Sequence, residues 1–550
     1  MDGSLASRAG GRSEASRGHE LIAASLAARG VTHVFTIAGT PVYETLAACL
    51  AQGIRVVGVH HQQAAAMMAA AHNYVTGRLA AAVVLSAGPG VTNATTGILV
   101  AHDNDWPLLV IGGCRALDTR GAGAFQDLDA VPIFRPITRY ADRIDSAAAI
   151  APTLERACRI ATGDRPGPVY LDVPEGTLAG VMRTAPAPLP ISAAAPEVDR
   201  AAVARAAEFL VEARRPALLV GGALRWSEPF DTLRQLVDRL DLPFATTPIA
   251  RGYLPDDDPR CFSAVRARML ASADVVVVAG ARLDWTLRYG AEIAKDAKLV
   301  VLGVDERGPG GLVAPTLAVA GDPADAIREL VRAVGSRTRR PDADLWRAGL
   351  ATARDEHARA SDALEGDDGL PMDEHRLIAE IRRFVPRDGI FVVDGNRLLE
   401  AAQRSMPTHV PVARLTPGQD GCMGVGVPFG IGAKLAHPDR TVLVATGDVA
   451  FGLNAMEMET ALRLRLPLLV VVANNEGNGG GLIEHKYFRA APPDRVTLFQ
   501  PGVRYDAIVR ALGGYGEHVE HPDEVVPALR RAAASGVAAC VDVRTRVHAG

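Results

Sequence analysis

Two short polar motifs in the last third of the chain carry the clearest chemistry. One apolar run closes on Gly447–Asp448, and the next, 27 positions on, closes on Asn474–Asn475 before Glu476-Gly477-Asn478-Gly479-Gly480-Gly481. That spacing holds one helix (FGLNAMEMETALRLR) between adjacent parallel strands, which brings both polar ends to one sheet edge. A carboxylate (Asp448), an amide oxygen (Asn475) and a free backbone carbonyl (Gly477) are the hard oxygen ligands that Mg²⁺ or Ca²⁺ takes, alongside phosphate oxygens of a ligand. The glycines let the backbone approach a diphosphate closely. Either dipeptide alone is explained by a helix cap or a turn. The pair, at strand ends and at this spacing, predicts a metal–diphosphate site.

Elements able to position such ends recur along the chain. Short apolar runs ending in Gly, Asp or Asn alternate with Ala-rich helical stretches, at 31–39, 80–88, 107–113, 168–174, 216–222, 274–280, 298–305, 389–395, 441–448, 467–475 and 538–543. Continuous apolarity suits strands buried on both faces, and the intervening helices imply parallel pairing. The prediction is an α/β protein of three consecutive doubly wound parallel-sheet domains. A Pro/Ala-rich stretch at 185–198 and a charged stretch at 337–372 with a helical middle read as linkers. The domains then run over 19–184, 197–336 and 370–545, after a disordered lead-in at 1–18. The first and third units are candidates for distant structural echoes of one another.

At 550 residues the chain is too long for one hydrophobic core. Its 48% hydrophobic and 22% charged content argues against global disorder, and a net charge of −4 spread along the chain points to neither nucleic acid nor an anionic membrane. No apolar run approaches the roughly 18 residues of a membrane span, and the N-terminus lacks the apolar core of a secretory signal. The six cysteines form no CxxC pair, so buried free thiols are expected rather than zinc or disulfides. A cytoplasmic enzyme is the expectation.

The metal motif resembles the signature of thiamine-diphosphate enzymes such as acetolactate synthases and pyruvate-decarboxylase-like enzymes, with Val449 where that family usually has Gly, Ser or Ala. GTPVYE (39–44), VHHQQAAAMMA (59–69), SAGPGVTNA (86–94), WPLLVIGG (106–113) and GAFQD (123–127) follow in family order. So do LPFATTPIARGYLPDDDP (242–259), GARLDW (280–285), DGN (394–396) and DGCMGVG (420–426). From about residue 19 to 545 the chain is similar to the 2-hydroxyacyl-CoA lyase and oxalyl-CoA decarboxylase branch. The resemblance implies pyrimidine-binding, central and diphosphate-binding domains, thiamine diphosphate and Mg²⁺ as cofactors, and a homodimer or homotetramer with the active site at the subunit interface. It implies that Asp448, Asn475 and the Gly477 carbonyl hold the metal, and that Gly39, Gly395, Asn396, Gly447, Val449 and Ala450 line the cofactor. Met423 would prop the cofactor in its V shape, Gly421 would offer its carbonyl to the pyrimidine amine, and Gln126 would line the reacting centre.

One residue departs from the pattern. Where most of the family has a glutamate against the pyrimidine, this chain has Gln62. An amide donates a hydrogen bond there but cannot shuttle a proton at neutral pH. Two readings stay open: an active enzyme whose cofactor activation is slower or differently driven, as in glyoxylate carboligase, or a catalytically impaired cofactor-binding subunit. His61 and His60 are candidates for the missing acid–base work, and equally for plain polar residues at a strand end. Glu484, with His485 and Lys486, falls where relatives place substrate-contacting groups.

The branch implies a small-molecule substrate that is a CoA thioester: a 2-hydroxyacyl-CoA cleaved to formyl-CoA and a carbonyl compound, or the reverse acyloin addition. GAFQD lacks the Tyr-Glu pair that the decarboxylases carry there, which favours the lyase. Arg266, Arg268, Arg282 and Arg288 are candidates for the CoA phosphates. The alternative activity is a 2-oxoacid carboligase of the acetolactate-synthase kind.

Overall fold

The computed structural model describes residues 15–182, 197–304, 310–337, 343–489 and 494–546. Residues 1–14 of the expected lead-in and 185–196 of the first expected linker lie outside the described residues. The end of that lead-in is a correction. Ser16–Arg17 pair antiparallel with Val181–Met182, and Gly18 opens the helix Gly18–Ala28. The Gly18 N–H donates to Gly180 O at 2.9 Å, and a Cβ at Gly18 would meet Thr177 O at 2.2 Å. The backbone pairing and this close approach order a segment whose polar composition reads as disordered.

Three parallel sheets follow. The first orders its strands Arg55–Gly58, His33–Thr36, Ala81–Leu85, Leu108–Cys114, Pro168–Pro174 and Tyr140–Arg143. The third orders Arg414–Leu415, Ile390–Asp394, Val442–Gly447, Leu469–Asn474, Ala539–Arg544 and Tyr515–Val519. Numbered along each unit, both read second, first, third, fourth, sixth, fifth, so the two units share one topology. The central sheet runs Phe244–Thr246, Pro216–Val220, Val275–Ala279, Lys298–Val304 and Leu317–Ala320. All three reverse direction between their first and third strands, where α/β sheets bind ligands beyond the carboxyl ends.

The first and third domains share one core. The Ala-rich helix Gln62–Thr76, buried from Ala64 to Val75, packs on Gly426–Ala436. A Cβ at Gly432 would meet Met68 O at 2.4 Å, so glycine permits this backbone approach. The charged 337–372 stretch holds a helix, Ala343–Glu365, whose Leu350 joins the central core. All six cysteines are free, five of them buried. Among the described residues no helix is long and apolar enough to cross a membrane.

Candidate functional site

At the strand reversal of the third domain a cleft of about 270 Å³ opens beyond Asp394 and Gly447. Gly395, Asn396, Met423, Gly447, Asp448, Val449, Ala450, Asn475 and Gly477 all line it. Asp448 follows the strand Val442–Gly447 as the first residue of the helix Asp448–Asn454 and is 2% exposed. Its Oδ1 accepts the Val449 N–H at 2.7 Å and its Oδ2 the Gly477 N–H at 2.8 Å. Burial pushes its carboxyl up to about 6, against the pull of those N–H groups. Asn475 turns its amide nitrogen to Glu374 Oε1 in a long contact of 3.5 Å, so its oxygen is the end turned away from Glu374. At Gly477 φ is +143°, and a Cβ would meet Thr497 O at 2.2 Å. No other residue type brings the chain this close.

The neighbouring Asn474 is structural. It donates to Asp542 Oδ1 at 3.1 Å and to Val503 O at 2.8 Å, which ties down the strand end. Asp394, fully buried, accepts the N–H groups of Gly424 at 3.0 Å and Gly426 at 2.7 Å and so fixes the turn that carries Met423. Burial pushes its carboxyl up to about 7, opposed by four backbone N–H groups. Gly421, on the same turn at φ +65°, is not among the cleft-lining residues.

Two charged cleft residues escape sequence reasoning. Arg397 grips Glu374 through two hydrogen bonds of 2.7 and 3.0 Å, and both line the cleft with the apolar Leu482 and Ile483. Arg397 follows Asn396 directly, a signal within reach. Glu374 lies 101 positions before Asn475 with no local motif.

Gly39, Gln62 and Gln126 gather elsewhere, at the carboxyl ends of the first sheet around the loop 86–93. A Cβ at Gly39 would meet Ser86 Cβ at 2.7 Å, and one at Gly88 would meet Gln126 Cβ at 2.8 Å. Asn93 Nδ2 donates to Gln62 Oε1 at 3.1 Å. Within one chain none of the three lines the third-domain cleft. His61 caps the helix that Gln62 opens, its Nδ1 accepting the Gln63 N–H at 3.2 Å, and burial lowers its pKa. His60 Nε2 lies 2.8 Å from Glu459 Oε2. Glu484 is buried, and its Oε2 accepts Val496 N–H (3.0 Å), Thr497 N–H (2.8 Å) and the Thr497 hydroxyl (2.9 Å), which anchors the chain opposite Gly477.

A second cleft, of about 220 Å³, lies at the strand reversal of the central domain. Arg266, Arg282 and Trp285 line it, whereas Arg268 and Arg288 do not. Arg282 Nη1 stands 3.6 Å from Asp105 Oδ2, and the Trp285 indole donates to Gln419 O at 2.8 Å. Both clefts flank the helix Asn396–Ser405. Asn396, Arg397 and Leu398 face the first cleft, and Leu399 and Gln403 face the second.

The chain matches thiamine pyrophosphate enzymes in three blocks: the N-terminal TPP binding domain over residues 16–133, the central domain over 203–330 and the C-terminal TPP binding domain over 395–543. It is 32% identical to 2-hydroxyacyl-CoA lyase 1 of Mus musculus, covering 94% of this chain and 91% of that protein. It is 33% identical to an acetolactate synthase large subunit of Mycobacterium tuberculosis, covering 96% and 95%. It is 29% identical to oxalyl-CoA decarboxylase of Escherichia coli strain K12, covering 94% and 92%. With three family domains in register on three matching sheets, the chain belongs to the thiamine pyrophosphate enzymes.

Proposed function

We propose that this protein is a thiamine-diphosphate- and Mg²⁺-dependent carbon–carbon lyase. In this reading it cleaves a 2-hydroxyacyl-CoA to formyl-CoA and a carbonyl compound, or runs the reverse acyloin addition. The observation that carries the reading is the meeting of Asp448, Asn475 and Gly477 in one cleft, in a chain with 2-hydroxyacyl-CoA lyases among its relatives. The donor set fits the cofactor. A buried carboxylate, an amide oxygen and a backbone carbonyl are the hard oxygen donors that would hold a cation such as Mg²⁺. The adjoining backbone is cut close, since a Cβ at Gly395 would press on Gly447 N at 3.3 Å.

When bound, thiamine diphosphate supplies the nucleophilic carbon and the electron sink for breaking a bond beside a carbonyl. The chain does the rest. Asp448, Asn475 and the Gly477 carbonyl hold the cation and diphosphate. Asp394 stiffens the turn under Met423, which supports the ring system, and Leu482 and Ile483 keep water from that wall. Gln62 donates an amide N–H to the pyrimidine, and Gln126 lines the reacting centre. Gly39, Gln62 and Gln126 reach the cleft from a second copy of the chain, which makes the working unit a homodimer or a homotetramer. The CoA phosphates meet Arg266 and Arg282, and Trp285 offers a flat apolar face beside them.

The test is to load purified protein with thiamine diphosphate and Mg²⁺, supply a panel of 2-hydroxyacyl-CoA thioesters, and assay formyl-CoA. Formyl-CoA supports the lyase. Turnover of pyruvate with no formyl-CoA selects the carboligase reading, which the acetolactate synthase relative keeps in view. Cofactor binding without either product selects the impaired subunit.

A further inference from the structure

Gln62 is held from two sides. Its chain neighbours are pinned from the third domain: Glu457 Oε1 accepts the backbone N–H groups of His60 at 2.9 Å and His61 at 3.0 Å, and the Gln63 side chain donates through Nε2 to Asn454 Oδ1 at 3.2 Å. Its side chain, 8% exposed, is held by Asn93, whose Nδ2 donates to Gln62 Oε1 at 3.1 Å. The oxygen of the Gln62 amide therefore faces Asn93 and its NH₂ faces the other way. Asn93 follows the short helix Pro89–Thr92, on the loop against which Gly39 and Gln126 also pack. Its backbone N–H donates to Pro89 O at 3.1 Å, which fixes the Asn93 backbone beside Gln62.

We infer that Asn93 is a positioning residue that decides which end of the Gln62 amide is offered to the cofactor. The inference rests on the proposed placement of Gln62 against the pyrimidine. A carboxylate has two equivalent oxygens and no wrong way round. An amide has a donor end and an acceptor end, and an acceptor end would set one lone pair against another at the pyrimidine nitrogen. A chain with glutamine at this position therefore needs something to choose the end, and Asn93 chooses by donating.

The competing account is that Asn93 is an exposed loop residue whose contact with Gln62 has no consequence. Two substitutions separate the accounts. Asn93→Asp can only accept, so it draws the Gln62 NH₂ to itself and turns Oε1 outward, whereas Asn93→Ala leaves the amide free to choose. With full-length protein and Mg²⁺, thiamine diphosphate affinity and the rate of C2 hydrogen–deuterium exchange on bound cofactor are measured, with thermal melts without cofactor as a folding check. The expected result is a loss about tenfold greater for Asn93→Asp than for Asn93→Ala, the scale of one misplaced hydrogen bond. That difference should vanish in a Gln62→Ala background, because Asn93 acts through Gln62. Equal losses in the two variants, or a difference that persists in Gln62→Ala, overturn the inference while the cofactor site stands. Wild-type protein that binds no thiamine diphosphate, or Gln62→Ala with unchanged binding and exchange, overturns the placement of Gln62 and this inference with it. If Asn93→Asp does not fold, Asn93→Ser, which either donates or accepts, should fall between wild type and Asn93→Ala. An Asn93→Ser loss as large as that of Asn93→Ala then overturns it.

Discussion

Glu457 Oε1 accepts the backbone N–H of His61 at 3.0 Å, across 396 positions of sequence and from the third domain to the first. The same oxygen takes the His60 N–H, and the other carboxylate oxygen holds Thr460 Oγ1 at 2.7 Å. Glu457 is 1% exposed and follows closely the helix that Asp448 opens. One buried carboxylate thus ties the turn carrying Gln62 to the segment that begins at Asp448.

Removing that carboxylate should loosen the joint. Glu457→Ala leaves two N–H groups without their acceptor, a cost of about 1–3 kcal/mol for each one that water does not reach. Glu457→Gln keeps an acceptor and should cost less. Chemical denaturation of both variants checks this ranking, and equal stability would remove Glu457 from the account.

Asp448→Asn and Asn475→Ala should each weaken thiamine diphosphate binding, because a hard cation loses an oxygen ligand or its charge. Calorimetric titration with Mg²⁺ present should show affinity down by at least about 10²-fold, by analogy with the cost of disturbing a metal's ligand environment. Affinity within twofold of wild type would mean that the cation sits elsewhere.

Gln62→Glu should raise the C2 exchange rate of bound cofactor. A carboxyl group restores an acid–base partner whose contribution is typically about 10²–10⁴-fold. Proton NMR of quenched samples reads the rate directly, and an unchanged rate would dissociate Gln62 from the pyrimidine.

Arg266→Ala and Arg282→Ala should act on recognition rather than chemistry. Each removes a cation from the central cleft but none from the third-domain cleft. KM for a CoA thioester should rise about tenfold per lost charge-assisted contact, with kcat within a few-fold of wild type. A fall in kcat at constant KM would contradict this division of labour.

Acid should unfasten the shared core of the first and third domains at His72. Its Nδ1 lies 3.2 Å from Gly432 O, and burial lowers its pKa from 6.5 to about 3, with His33, Arg78 and His437 adding like charge. The unfolded chain therefore takes up the proton first as pH falls. Stability from this residue is intact above about 6.5 and is lost progressively from there toward 3. At pH 5 the loss is about 2 kcal/mol. Denaturation at pH 7.5 and pH 5 should show that loss in wild type and a flatter profile in His72→Gln, and an identical slope in both would assign the acid sensitivity to another group.

Every apolar run named from the sequence overlaps a strand of a parallel sheet, and among the described residues every parallel-sheet strand missed lies at an edge. Arg55–Gly58 and Tyr140–Arg143 flank the first sheet, Phe244–Thr246 and Leu317–Ala320 the central one, and Arg414–Leu415 and Tyr515–Val519 the third. Interior strands such as Val275–Ala279 are buried at every residue, whereas Tyr140–Arg143 has no buried residue. An interior strand needs apolar side chains on both faces and so declares itself, while an edge strand is short or half exposed and reads like a loop.

The same division holds for the site. Sequence alone determined that Asp448, Asn475 and Gly477 meet, because one crossover of chain between two parallel strands leaves little freedom in where their ends lie. It also placed glutamine at position 62, where the family resemblance implies an acid. The tertiary structure decided that Glu374 and Arg397 wall the same cleft, that Arg268 and Arg288 stand outside the central one, and that Gly39, Gln62 and Gln126 gather on a different domain. Those outcomes depend on how Gln62–Thr76 packs on Gly426–Ala436 and how each sheet reverses, and packing between distant segments leaves no period in the chain for a reader to find.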